Sequence, residues 1–235
     1  MQQGFTIIIH IYYKGSWAFI KSKLGTLLQN ATEVIITGCY DEVLDEIDFE
    51  KSVLLKVPNV GKDIGGKLAA INYYLRFGVK TSCLLFLHDK ISPQSINADY
   101  WLTELYSIME QKNFKKIIET FENNKKVGLM GSRIFLKNEY LSASENFDTS
   151  NDQLLRQLIK KYELRCKKYD YIAGTMFIVR SSIFETFFSK HKPLDIRSQL
   201  EVGNVLDLKE GTVTHCWERL FCFIVEHYNY QVKGI

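Results

Sequence analysis

The residues best suited to chemistry fall in three short segments. The first, Asn59-Val-Gly-Lys-Asp-Ile-Gly-Gly-Lys67, sets Gly61, Gly65 and Gly66 among Lys62, Asp63 and Lys67. Glycines let a backbone approach a ligand closely, and the helix N-terminus that follows favours an anion, so the segment suits a phosphate-bearing ligand. Asp63 has two alternative readings, accepting hydrogen bonds from a ribose or from the first turn of the helix it precedes. The segment is not a Walker loop, because its GK lacks the following Ser or Thr at the required spacing, and it contains no GxGxxG. A plain helix cap and turn is the structural alternative. The second, Cys83-Leu-Leu-Phe-Leu-His-Asp-Lys90, is an apolar strand that ends abruptly in three polar residues. Titratable groups at the end of a buried strand are costly unless they meet a ligand or one another. His88 and Asp89 could coordinate a divalent metal that bridges a diphosphate, and Lys90 could neutralise the diphosphate directly. A solvated turn with a satisfied histidine is the alternative here. The third pairs Gly174-Thr-Met-Phe-Ile-Val-Arg180 with Gly211-Thr-Val-Thr-His-Cys-Trp-Glu-Arg219. His215, Glu218 and Arg219 lie within about one helical turn. A carboxylate there suits a general base on an acceptor hydroxyl, although the spacing alone favours a structural Glu218–Arg219 ion pair.

These segments need a scaffold, and the chain supplies alternating β-rich and helical runs. Strands are expected at Phe5 to Tyr12, Glu33 to Gly38, Val53 to Val57, Cys83 to Leu87, Val127 to Gly131 and Tyr171 to Val179. Helices are expected through Trp17, Ile20, Leu24 and Leu28, then at Ile64 to Phe77, Tyr100 to Asn123, Asp152 to Tyr169 and Val213 to His227. That alternation predicts an α/β domain built on a mainly parallel, Rossmann-like sheet flanked by helices, with ligands bound beyond the carboxyl ends of its strands. With 235 residues, 46% of them hydrophobic, a single domain is expected. Its nucleotide-binding half would be about 1–95 and its acceptor half about 96–235. The polar stretch Asn138 to Asn151 reads as a loop and a candidate lid.

A net charge of +3 with no basic stripe interleaved with aromatics argues against a nucleic-acid partner. The five cysteines show no metal-binding spacing and read as free thiols of a reducing compartment. No apolar run reaches the roughly 18 residues of a membrane span, and the first residues read as a strand rather than a signal peptide. A cytoplasmic protein is expected, associated with a membrane at most peripherally.

The order of motifs adds a resemblance that spans nearly the whole chain. A strand ending in His-x-Tyr-Tyr is followed by VPNVGKDIGG, FLHDKIS, a helix with Trp101, VGLMGS, AGTMFIVR and GTVTHCWERLF. Together these resemble the rhamnan synthesis protein F family of bacterial cell-wall and capsule polysaccharide synthesis, which is related to glycosyltransferases of the GT-A fold. The resemblance implies transfer of rhamnose or another hexose from a nucleotide diphosphate donor, UDP- or dTDP-linked, to a glycan or lipid-linked saccharide acceptor, with an inverting course. It places Tyr12, Asn59, Gly61, Lys62, Asp63, Gly65, Gly66, His88, Lys90 and Arg219 at the nucleotide sugar. Glu218 would be the base with His215 beside it, Glu201 and Asp207 being rivals. The chain has His-Asp-Lys where the usual metal motif has two aspartates. Two mechanisms therefore stay open, one with Mn2+ or Mg2+ on Asp89 and one without metal, in which Lys90 and Lys62 balance the leaving diphosphate. A catalytically silent nucleotide-binding or scaffolding module is the competing function.

Overall fold

The computed structural model describes residues 4–90, 98–140, 150–206 and 211–235. In chain order the elements are β1 (Phe5–Ile11), α1 (Ser16–Leu24), α2 (Thr26–Asn30), β2 (Glu33–Gly38), α3 (Asp41–Leu44), β3 (Ser52–Lys56), α4 (Lys62–Arg76), β4 (Cys83–His88), α5 (Ala98–Tyr106), α6 (Gln111–Asn123), β5 (Val127–Gly131), β6 (Leu136–Asn138), α7 (Asp152–Lys161), β7 (Asp170–Ile172), β8 (Phe177–Arg180), α8 (Ser181–Lys190), α9 (Pro193–Arg197), α10 (Val213–His227) and β9 (Gln231–Gly234).

Near-continuous apolar runs make strands that are buried on both faces, and β1 and β4 are buried at every position. Seven strands form one sheet in the order β3-β2-β1-β4-β8-β5-β9, while β6 and β7 form a separate antiparallel pair. The first four strands run parallel, β8 runs antiparallel to both neighbours, and β9 lies parallel to β5. The expected α/β architecture, a mainly parallel sheet flanked by helices, is therefore present. From β1 the chain winds outward to β2 and β3, then returns to place β4 on the other side of β1. That reversal opens a crevice beyond the carboxyl ends of β1 and β4. Behind it, Phe86, Phe177, Phe184 and Phe221 pack ring against ring, with Phe86 5.2 Å from Phe177 and 5.6 Å between Phe184 and Phe221. This aromatic core fixes α10 against β4 and β8.

Several elements differ from the sequence expectation, each for a local reason. The first helix breaks at Gly25 into α1 and α2. The long helix over 100–123 is interrupted by a 3-10 turn at Ser107–Met109, and α7 stops at Lys161, before the left-handed Glu163. The single strand expected over 171–179 is two strands, β7 and β8, which join different sheets. Between them Gly174 and Thr175 both take positive φ, 79° and 51°, and turn the chain sharply. Helices α8 and α9 and strand β9 were not foreseen: β9 is short and pairs only with a strand about a hundred residues earlier, so no local pattern marks it. Of the proposed lid, residues 141–149 lie outside the described residues.

Helix α4 approaches the sheet more closely than side chains would allow. A Cβ on Gly65 would stand 1.7 Å from the Val60 carbonyl oxygen, and one on Gly66 would stand 2.2 Å from His10 Nδ1. Gly65→Ala is therefore expected to destabilise the protein by about 1–3 kcal/mol through overpacking against backbone. A urea midpoint unchanged from wild type would show that α4 can back away.

Candidate functional site

The crevice at the β1–β4 reversal is a cleft of about 280 Å³ lined by residues of six segments. β1 and its turn contribute His10, Tyr12 and Tyr13. The first turn of α4 contributes Lys62, Asp63 and Ile64, and the end of β4 contributes His88, Asp89 and Lys90. Gly174 and Thr175 come from the β7–β8 turn, Asn204 from the segment after α9, and Thr214, His215 and Glu218 from α10.

Beneath the cleft lies a lysine with no exposed surface. Lys67 Nζ donates to Asp63 Oδ2 (2.8 Å), Thr175 O (3.0 Å) and Thr175 Oγ1 (2.5 Å), and lies 3.1 Å from His88 Nδ1. The Thr175 hydroxyl donates in turn to Asp63 Oδ2 at 2.6 Å. Burial would raise the Asp63 pKa, but the Lys67 charge and these hydrogen bonds outweigh it and hold the carboxyl far below the usual range. For Lys67, burial pulls the pKa down while Asp63 opposes it. Burial, with Lys67 adding to it, also pushes His88 well below the ordinary histidine value, so its ring is neutral at pH 7.

Asp89 holds the turn after β1. Its Oδ1 and Oδ2 each accept from the Tyr12 amide at 3.0 Å, and Oδ2 also accepts from the Tyr13 amide at 2.6 Å. Both oxygens thus hold the turn, and among the described residues no group of three His, Cys, Asp or Glu is arranged around a common point. Lys90 lies 4.4 Å from the centre of the Trp101 ring, a cation–π distance. Burial lowers its pKa. Among the described residues neither Lys62 nor Lys90 forms an ion pair, so two cations on opposite sides of the cleft are available to an anion.

On α10, Glu218 Oε1 accepts from the Gly174 amide (2.6 Å) and Oε2 from Arg219 Nη1 (2.5 Å), while Arg219 Nε bonds Glu139 Oε2 at 3.0 Å. The structural ion pair is thus present, and Glu218 faces the cleft within it. Arg219 does not line the cleft; it lies behind Glu218 with Tyr171 4.7 Å beneath its guanidinium. His215 Nδ1 is 2.5 Å from the Thr212 hydroxyl, which also accepts the His215 amide proton as the helix cap. Glu201, considered as a rival base, caps the same helix instead, accepting from the amides of Val213 and Thr214 and from the Thr214 hydroxyl. Asp207 lies outside the described residues.

Of the other residues expected at the site, Asn59 and Gly61 belong to a support. Gly61 N donates to Glu201 O and Gly203 N to Asn59 O, so this segment pairs with 201–203, and Asn59 Nδ2 reaches Asn204 Oδ1 at 3.2 Å. Gly61, Gly65 and Gly66 do not line the cleft. A Cβ would meet Leu200 at Gly61, Val60 at Gly65 and His10 at Gly66, so close packing alone requires glycine there. Sequence reasoning did not assign His10, Tyr13, Thr175 and Asn204 to the site, and it read Lys67 as a cation for an anionic ligand rather than as a buried one. Two left a signal: Lys67 interrupts the apolar stripe Ile64, Leu68, Ile71 of a helix, and His10 interrupts an unbroken apolar strand.

His10 is buried between strands and helices, facing Asp63 and Lys67 of α4, Arg197 of α9 and His88 of β4. Burial lowers its pKa from 6.5 to about 4. The unfolded chain therefore binds a proton that the native protein refuses between those values, so stability present at pH 7 is lost as pH falls from about 6.5 toward 4. His10 alone accounts for about 3 kcal/mol of that loss, and His88 adds to it in the same direction. Urea unfolding at pH 7.0 and 4.5 should show this drop, reduced in His10→Asn. Equal pH slopes in the two proteins would place the titrating group elsewhere.

No helix among the described residues is long and apolar enough to cross a membrane. None of the curated proteins matches this chain. Among solved structures, one described as the apo form of the bifunctional glycosyltransferase WbbM is similar at 13% identity and a TM-score of 0.42, over 97% of this chain and 44% of that one. The chain thus spans less than half of that protein's length. The model of the family described as rhamnan synthesis protein F matches residues 2–230, and with that match over nearly its whole length the chain belongs to the rhamnan synthesis protein F family.

Proposed function

We propose that the protein is a glycosyltransferase of polysaccharide synthesis that moves a hexose or deoxyhexose from a nucleoside diphosphate donor to a hydroxyl of a glycan or lipid-linked saccharide, on the cytoplasmic side of a membrane. The observation that carries this reading is the pair of ammonium groups, Lys62 and Lys90, that line one cleft at the sheet's reversal and form no ion pair among the described residues. A nucleoside diphosphate leaving group develops charge on its oxygens as the bond to the sugar C1 breaks. Cations fixed in advance at that place stabilise it most in the transition state. The site needs no resident metal for this, because Lys90 and Lys62 supply the charge that an aspartate-bound cation supplies elsewhere.

Glu218 is the carboxylate assigned to the acceptor. Its two oxygens are oriented by the Gly174 amide and by Arg219, and each keeps a lone pair for the proton that leaves the acceptor hydroxyl as its oxygen bonds to C1. Asp63 is unsuited to that task, since a carboxyl held so far below the usual range is a weak base. With Glu218 acting on the acceptor hydroxyl as a base rather than on the sugar as a nucleophile, the reading is a single displacement with inversion.

Lys90→Met should lower kcat/KM by about 10²–10³, and Glu218→Gln should lower kcat at saturating substrate by about 10²–10⁴ while nucleotide affinity is kept. Both are read by donor turnover with UDP-, dTDP- and GDP-linked sugars, with and without Mn2+. Full activity of Glu218→Gln removes it as the base. Because burial lowers the Lys90 pKa, its charge disappears as pH rises, at values below those of an ordinary lysine. Nucleoside diphosphate affinity in the wild type should therefore weaken with rising pH before an ordinary lysine would lose its proton, and much less in Lys90→Met.

A further inference from the structure

The net charge of +3 conceals a polarity along the sheet. At its β3 edge, the connection from β2 reads Asp41-Glu-Val-Leu-Asp-Glu-Ile-Asp-Phe-Glu50, six carboxylates in ten residues with no lysine or arginine among them. At its β9 edge the sign reverses. A groove of about 520 Å³ runs along β9 and the segment that leads into β7, and four cations line it: Arg165, Lys167, Lys168 and Lys233. Lys125 and Lys126 extend the cluster, because they precede the neighbouring strand β5 and the Gln231 amide at the groove donates to the Lys126 carbonyl. All six cations are exposed, and none forms an ion pair among the described residues.

The groove's own carboxylates are held by other neighbours than the side chains of these cations. Glu226 accepts from the amides of Lys167, Lys168 and Tyr169 at 3.1, 2.7 and 3.2 Å, and Asp170 Oδ1 accepts from Asn138 Nδ2 at 2.8 Å. The basic segment is therefore fastened to the end of α10 through its backbone, while its charged side chains are left to the solvent. Cations spread over three segments in this way match an array of negative charges rather than a single phosphate. A bilayer with anionic phospholipid presents such an array. A nucleic acid fits less well, since stacking of its bases calls for exposed aromatic faces, and only His227 and Tyr230 among the groove's residues carry rings.

We propose that the β9 edge is a docking surface for a bilayer that bears anionic phospholipid. Such a surface attracts the β9 edge and repels the acidic β3 edge, so it orients the molecule as well as holding it. Helix α10, which carries Glu218, packs against β7 and β9, whereas β1, β2 and β3 lie on the other side of the cleft. Docked by the β9 edge, the protein turns its Glu218 side toward lipid and its β1–β3 side toward water. On the glycosyltransferase reading, from which the docking takes its purpose, a lipid-linked acceptor then approaches from the bilayer and a nucleotide sugar from solution.

The test is co-sedimentation of the full chain with vesicles of phosphatidylcholine, alone and with added phosphatidylglycerol, at low salt and at about 0.5 M NaCl, where surface charges are screened. Wild type should bind the phosphatidylglycerol vesicles at low salt and release them at high salt. Neutralising the groove with Arg165→Gln, Lys167→Gln, Lys168→Gln and Lys233→Gln together should weaken binding by about 10²–10³, each basic residue near such a surface being worth about fivefold. Because these side chains are exposed and unpaired, the melting temperature of that variant should match wild type. The same charge change at the acidic edge, Lys21→Gln, Lys23→Gln, Lys51→Gln and Lys56→Gln, should leave vesicle binding nearly intact. Equal losses in the two variants overturn the proposal, since net charge and not this edge would then govern binding. Equal binding to phosphatidylcholine alone, binding that resists salt, or tighter binding to polyuridylate than to the vesicles overturns it too. Donor turnover without vesicles, measured on the same proteins, separates the two readings. Wild type that turns over donor but binds no vesicle loses the docking surface and keeps the transferase, and the reverse result removes the transferase alone.

Discussion

Everything at the cleft depends on burying one ammonium group. An uncompensated charge with no exposed surface would cost several kcal/mol, so Lys67 depends on its own helix and on two other segments that come to it. α4 must supply Asp63 one turn away, β4 must end at His88, and the β7–β8 turn must bring both the carbonyl and the hydroxyl of Thr175. The last demand is visible as strain. A β-branched residue at φ 51° is a conformation that threonine adopts only when its surroundings dictate it. Lys67 and Asp63 dictate it here, and the result is a sharp turn whose edge forms part of the cleft wall.

The same turn ties the two sides of the site together. Thr175 is held from the α4 side by Lys67, and Gly174 from the α10 side by Glu218, through adjacent peptide groups. Glu218 is in turn braced by Arg219, and Arg219 by the buried Glu139. A continuous chain of charge-assisted hydrogen bonds thus runs from the sheet reversal across the turn to the helix that carries the acceptor-side carboxylate. Such networks are rigid when every member is satisfied and fail together when one is removed. The placement of the end of β4 relative to α10 is therefore fixed by this network.

How much of this was legible in the sequence follows from which interactions are local. The parallel strands announced themselves as apolar runs, and the polar break at His88, Asp89 and Lys90 marked the end of a central strand, where the cleft lies. The reading of individual residues was less direct. Asp89 has the chemistry of a metal ligand, and its oxygens also accept from backbone amides, which no sequence pattern displays. Gly65 and Gly66 look like a ligand loop because glycine permits close approach to anything; here the thing approached is the protein's own Val60 and His10. The β7–β8 turn was hidden inside what reads as one strand, since Thr175 is a good strand residue whose turn conformation is imposed by contacts 108 and 112 positions away. Lys67 was the missed clue: a charged residue on the buried stripe of an amphipathic helix predicts either a disrupted helix or a buried network.

The distribution of charge in the cleft also accounts for the missing pair of aspartates. A metal-dependent site concentrates carboxylates and lets a cation reverse their sign for the diphosphate. In this protein the carboxylates near the β4 end are already held from within: Asp63 by Lys67, Glu218 by Arg219, and Asp89 by two amides. Among the described residues Lys62 and Lys90 have no such ion pair. The internal pairing that rigidifies the site thus leaves these two lysines as the cations that the proposed diphosphate would meet.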